Sequence, residues 1–149
     1  MFLKRINAVT LLLMLLMSSS YSSSENWKLR PTPQTVVQVA QNCLRLQNGL
    51  NIETLHDDPT QVRCFFENLN LWDKYNGFKA KRLAHVFNKR HMTNEIVVAV
   101  SYCNDTTRQS DANKWAFDAY SCFAMGPIGN WTNLFIKNAY KKFLKEKGL

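Results

Sequence analysis

From residue 32 onward, apolar side chains recur at intervals of three and four, the spacing that gathers them on one face of an α-helix. Val36, Val37, Val39, Ala40, Cys43, Leu44 and Leu46 make the first such stripe. Thr32-Pro33 predicts its start, since threonine caps free amides and proline suits the first helical position, and Gly49 predicts its end. Leu50, Ile52 and Leu55 are the apolar contacts of an irregular piece that follows. Asp57 or Asp58 before Pro59 opens a second helix with Val62, Phe65, Phe66 and Leu69 in one stripe beside Cys64, and Asn76-Gly77 breaks it.

From Phe78 the pattern predicts a third helix that turns Leu83, Ala84, Val86 and Phe87 inward and Lys79, Lys81, Arg82, Lys89 and Arg90 to water. Thr93 or Asn94 caps a short fourth helix carrying Ile96, Val97, Ala99, Val100 and Cys103; Ile96 to Val100 is β-prone, but its length and flanks fit a helix. Asn104 to Asp111 reads as a loop. Asp111 caps a fifth helix with Trp115, Ala116, Ala119, Cys122 and Phe123, which Gly126-Pro127 stops. The last element, about Thr132 to Lys145, sets Phe135, Ala139 and Phe143 against Lys137, Lys141, Lys142 and Lys145. No segment reads as a strand. The expected fold is all-α, a compact bundle of about six to seven short helices around an apolar pocket. Such helices are marginal alone and depend on a shared core and crosslinks.

The N-terminus has a different pattern. Lys4 and Arg5 precede an almost unbroken apolar run from Ile6 to Met17, then small polar residues to Ser24 interrupted only by Tyr21. This is a signal peptide, too short for a spanning helix, with cleavage expected near Ser24. One secreted domain, 25–149, follows, with an extra C-terminal helix at about 130–147. Without Lys4 and Arg5, 17 basic residues face 11 acidic ones, a net charge of +6. The basic residues are not gathered into a stripe, so nucleic acid is not an expected partner.

Cys43, Cys64, Cys103 and Cys122 all fall in the mature part, and an even count in an exported chain indicates disulfides. Three pairings exist. Cys43 with Cys64 and Cys103 with Cys122 close the shortest loops and would each link neighbouring helices, for roughly 3 kcal/mol apiece by chain entropy. No metal site is expected, because there is no C-x-x-C pair and His56, His85 and His91 never fall four apart on a predicted helix. No cofactor is implied either. Catalysis lacks a constellation: His56-Asp57 suggests a secreted phospholipase, but Pro59 follows at once and no Gly-rich calcium loop precedes it. Asn104-Asp105-Thr106 and Asn130-Trp131-Thr132 match the glycosylation acceptor pattern.

Cys64-Phe-Phe-Glu-Asn-Leu-Asn-Leu-Trp-Asp73 with Asn76-Gly77-Phe78, then Cys103, Asp111 to Ala116 and Cys122-Phe123, resemble segments of insect odorant-binding proteins of the pheromone-binding type. That family commonly has six cysteines. Its spacing places the second at Thr60 and the fifth at Asn113, and both are absent here. Those two are bonded to each other in the family, so the chain resembles the four-cysteine "minus-C" subgroup, which loses one whole bridge. The resemblance covers Thr32 to Phe123. Two departures stand out: only 20 residues separate Cys43 from Cys64, and 27 follow Cys122.

The resemblance implies a non-enzymatic carrier of a small hydrophobic molecule, such as an odorant, pheromone or lipid, acting as a monomer or weak homodimer. A chemosensory receptor or a membrane surface is a further expected partner. Phe66, Leu69, Leu83, Phe87, Val100, Tyr120, Phe123, Trp131 and Phe135 are the expected ligand contacts, with the Tyr120 hydroxyl as the polar one; ordinary core is the competing role for each. His85 or His91 is a candidate acid sensor, His91 through its place between the third and fourth helices. The last helix serves either as a lid over the pocket or as a cationic surface for an anionic membrane. A salivary, venom or seminal scavenger on the same scaffold, or a cationic membrane-interacting helical protein, are the rival functions.

Overall fold

The computed structural model describes residues 28–44 and 58–149. Leu46, Gly49, Leu50, Ile52, Leu55, His56, Asp57 and the segment expected to be a signal peptide therefore lie outside the described residues. Within them the chain forms α1 (Pro33–Leu44), α2 (Pro59–Asn68), a two-stranded ladder of β1 (Trp72–Asp73) and β2 (Gly77–Phe78), α3 (Ala80–Val86), a short 3-10 turn (Arg90–Met92), α4 (Thr93–Thr106), α5 (Ala112–Ala124) and α6 (Pro127–Glu146). The fold is all-α in substance, as expected.

The helix starts follow local chemistry. Proline occupies the first turn of α1, α2 and α6, where a missing N–H costs nothing. Thr32 Oγ1 accepts the Thr35 N–H, Asp58 accepts that of Thr60, and Asp111 accepts those of Asn113 and Lys114. Thr93 behaves differently from expectation: it is the first residue of α4, and its hydroxyl donates to the Arg90 carbonyl instead of capping.

Two helix ends account for departures from the apolar pattern. Asn70 and Asn88 sit in the left-handed region at φ 57 and 60. After α2, the Asn70 and Leu71 N–H groups reach back to the carbonyls of Glu67 and Phe66; after α3, Asn88 and Lys89 reach those of His85 and Ala84. Both are Schellman terminations, in which an αL residue lets the chain satisfy the last carbonyls and turn away. The second helix thus ends at Asn68, not at Asn76, and the chain runs on into β1.

The ladder corrects the strand-free expectation. Asp73 accepts the N–H groups of Tyr75 and Asn76, which closes the turn, and Trp72 pairs with Phe78 and Asp73 with Gly77 in antiparallel register. Gly77 takes φ 73, and a Cβ there would lie 2.6 Å from Asn104 Oδ1. That approach exists because Asn104 acts as a third strand in miniature. Its Oδ1 accepts the Phe78 N–H at 3.0 Å and its Nδ2 donates to the Phe78 carbonyl at 2.9 Å. Asn104 is therefore in α4 and 6% exposed, not in a loop, and its carbonyl accepts the Trp115 indole N–H.

Disulfides Cys43–Cys64 and Cys103–Cys122 join α1 to α2 and α4 to α5. Noncovalent packing supplies the other seams, chiefly α1 on α6, α2 on α5 and α3 on α4. At the centre, the Phe78 ring meets Phe66 at 5.0 Å and Phe123 at 4.9 Å in edge-to-face geometry, and Tyr120 lies 5.2 Å from Phe66. Arg82, expected in water, is only 7% exposed and turns toward the Leu69 carbonyl at the end of α2.

Replacing Asn104 by Ala strands two buried backbone groups of Phe78. The expected loss is about 2 kcal/mol or more, read as a lower urea midpoint at unchanged slope.

Candidate functional site

The sequence-predicted contact residues separate into two places. Phe66, Leu69, Leu83, Val100, Tyr120 and Phe123 are all within 4% of complete burial and pack on one another in the core. Phe87, Trp131 and Phe135 instead line a common groove, with the Phe87 and Phe135 rings 5.7 Å apart.

This groove has a volume of about 530 Å3. Its floor is Val36 of α1, Val86 and Phe87 at the end of α3, and Phe135 and Ala139 of α6. The αL turn at Asn88 places Lys89 on the rim, its ammonium 5.1 Å from the centre of the Trp131 ring. The segment before α1 forms another side through Arg30, Pro31 and Pro33, and the Arg30 guanidinium donates to Asn88 Oδ1 at 2.9 Å. Sequence reading missed Val36, Val86, Arg30 and Lys89 as lining residues. The signal was partly there, because Val36 and Val86 belong to the predicted stripes, but no pattern says which end of a stripe stays open.

α6 is a wall of this groove. It buries Ile128, Thr132, Ile136 and Ala139 against α1 and α5, while Phe135 and Phe143 stay half-buried at the margin. Gly129 permits the tight entry to the helix, since a Cβ would lie 2.2 Å from the Ala124 carbonyl oxygen. Tyr120 on α5 turns its hydroxyl to Thr132 on α6, and burial pushes its pKa up to about 12. The phenol is buried between α5 and α6 and is not part of the groove lining.

The two candidate acid sensors differ sharply. His91 is exposed, within the short 3-10 turn before α4. His85 is 6% exposed: its Nε2–H donates to the Lys28 carbonyl and its Nδ1 accepts the Arg90 Nε–H at 3.0 Å. Burial holds its pKa below the usual imidazole value, and the positive charges of Arg90, Arg30 and Arg82 add to the effect, against the opposing pull of the Lys28 carbonyl.

The acceptor sites also part. Both hydrogen-bonding atoms of the Asn104 amide are engaged inside the fold, with Phe78. Asn130 is exposed on α6. Among the described residues no three His, Cys, Asp or Glu side chains cluster as metal ligands, and no helix is long and apolar enough to cross a membrane.

A crosslinked helical bundle with an apolar groove defines the class of small helical binding proteins. Residues 29–125 match the PBP/GOBP family, and the chain belongs to that family of insect odorant-binding, small-ligand carriers. No curated protein and no solved structure matched. Four cysteines in two disulfides are consistent with the minus-C type. At the family's missing bridge, Asn113 accepts a hydrogen bond from Arg63 of α2 at 3.3 Å, and Thr60 is held by Asp58. α6 lies beyond the matched segment.

Because His85 resists protonation in the fold while an unfolded chain takes a proton near pH 6.5, its contribution is fully present above that pH and is lost as pH falls through the depressed folded value. Stability should therefore fall between pH 7 and pH 5, by at most about 1.4 kcal/mol per pH unit from this one proton, read as a lower melting temperature at the lower pH. A His85→Gln variant, which keeps one donor and one acceptor, should flatten that slope.

Proposed function

We propose that this chain is an exported carrier that reversibly takes up a small hydrophobic molecule in the groove walled by α1, α3 and α6. The observation that carries the reading is the apolar floor of Val36, Val86, Phe87 and Phe135 inside a volume of about 530 Å3, within the 300–1,000 Å3 range of small-molecule pockets. Family membership supports the carrier role, and the two disulfides suit an oxidising extracellular compartment.

The energetics favour exchange over permanent capture. Burying ~200 Å2 of apolar ligand surface at ~25 cal/mol per Å2 gives roughly 5 kcal/mol before the entropy of association is subtracted. A rigid wall helps retain that gain: α6 is already folded against α1, so a ligand does not have to order it. Phe87, Trp131 and Phe135 are the residues through which the groove holds its guest. Phe66, Phe123 and Tyr120 act from behind, as the packed core that keeps those walls in place.

Displacement of a fluorescent apolar probe tests this. Saturable binding is expected, with Phe135→Ala and Trp131→Ala each weakening it about tenfold, the effect of removing a buried aromatic contact worth ~1.4 kcal/mol. Val98→Ser, at an exposed position of α4 outside the groove lining, should leave it unchanged. A folded protein that binds no apolar probe saturably overturns the reading.

A further inference from the structure

The floor of the groove is apolar, but the charged residues on its rim, among the described residues, are all basic: Arg30, Lys89 and Lys142. Arg30 also borders an adjoining depression of about 500 Å3 whose other lining residues are Lys28, His85 and Arg90. Among the described residues neither lining includes a carboxylate. A site built for a neutral hydrocarbon has no use for such a rim, since like charges gathered together repel one another and favour whatever anion sits among them.

Two of these cations are held in place. The Arg30 guanidinium is anchored by Asn88 at 2.9 Å, and of the five N–H donors a guanidinium carries this bond uses one. Lys89 stands over the Trp131 ring, the aromatic face beside the apolar floor. Asn88 itself is fixed by the left-handed turn that ends α3. The positive rim and the greasy floor are thus joined by one short stretch, Phe87-Asn88-Lys89, which presents an apolar ring, a polar anchor and a cation in sequence.

Resting on the carrier reading above, we propose that the guest is an anionic amphiphile, a free long-chain carboxylate. Its hydrocarbon tail lies on Phe87 and Phe135, and its carboxylate is bound at the Arg30 end of the groove. A guanidinium presents paired N–H donors that match the two oxygens of a carboxylate, a geometry that a lone ammonium does not offer. Lys142 on α6, in the same lining, adds to the positive field.

The test compares hexadecanoate with hexadecan-1-ol as competitors of the same apolar probe at pH 7.5 on the full mature chain. The acid should displace it at a concentration at least about tenfold lower than the alcohol. Arg30→Glu and Lys142→Glu should each erase most of that preference, weakening the acid at least about tenfold more than the alcohol. Lys142 is exposed, so its variant keeps the result readable if Arg30→Glu disturbs the segment before α1. Equal potency of acid and alcohol, indifferent to both variants, overturns the anionic guest and leaves the carrier reading intact. Failure of the probe and both competitors to bind removes the carrier reading itself. Sedimentation with phosphatidylglycerol vesicles, without saturable uptake of free hexadecanoate, overturns the proposal in favour of a membrane surface.

Discussion

The arrangement depends most on one buried carboxamide. Asn104, one residue past Cys103, exchanges hydrogen bonds with both backbone groups of Phe78 and so fixes the ladder edge to α4. Its own carbonyl engages Trp115 on α5. Three elements thereby meet at a side chain from which water is nearly excluded, where leaving any partner unmet is costly. Gly77 belongs to the same joint, because only a residue without Cβ leaves room for the Asn104 amide.

What this joint positions is the Phe78 ring. Phe78 stands among Phe66, Tyr120 and Phe123, so the helices converge on a cluster of aromatic edges and faces. The disulfides secure α1 to α2 and α4 to α5, and the aromatic cluster joins α2 to α5 between them. Covalent and packed seams therefore divide the work. Where the family has a further crosslink, the Arg63 to Asn113 hydrogen bond links α2 and α5, a weaker and reversible tie across one of the best-packed seams.

The groove lies away from that centre. It is walled by the ends of α1 and α3 and by α6, the helix that extends past the family match. Arg30, Asn88 and Lys89 on its border come from the end of α3 and from the segment before α1, where backbone turns expose side chains that a helix interior would cover. Asn88 serves both purposes, ending α3 and anchoring Arg30. The same region holds His85 neutral among arginines, so charge and hydrophobicity are arranged together at this end of the bundle.

Much of this was legible in the chain. Periodic apolar residues, the caps Thr32, Asp58 and Asp111, the prolines that follow the first two and the pairing of cysteines all reflect local chemistry or short loops, and local chemistry is written in local sequence. The short ladder, the burial of Arg82, His85 and Asn104, and the division of the aromatic residues between core and groove were not. A left-handed asparagine, a long-range amide bond and an open stripe end each depend on which distant surface arrives to meet them. Apolar periodicity tells a residue which face it shares; only the packing of α6 against α1, with α3 at their side, decides which faces close and which leave space for another molecule.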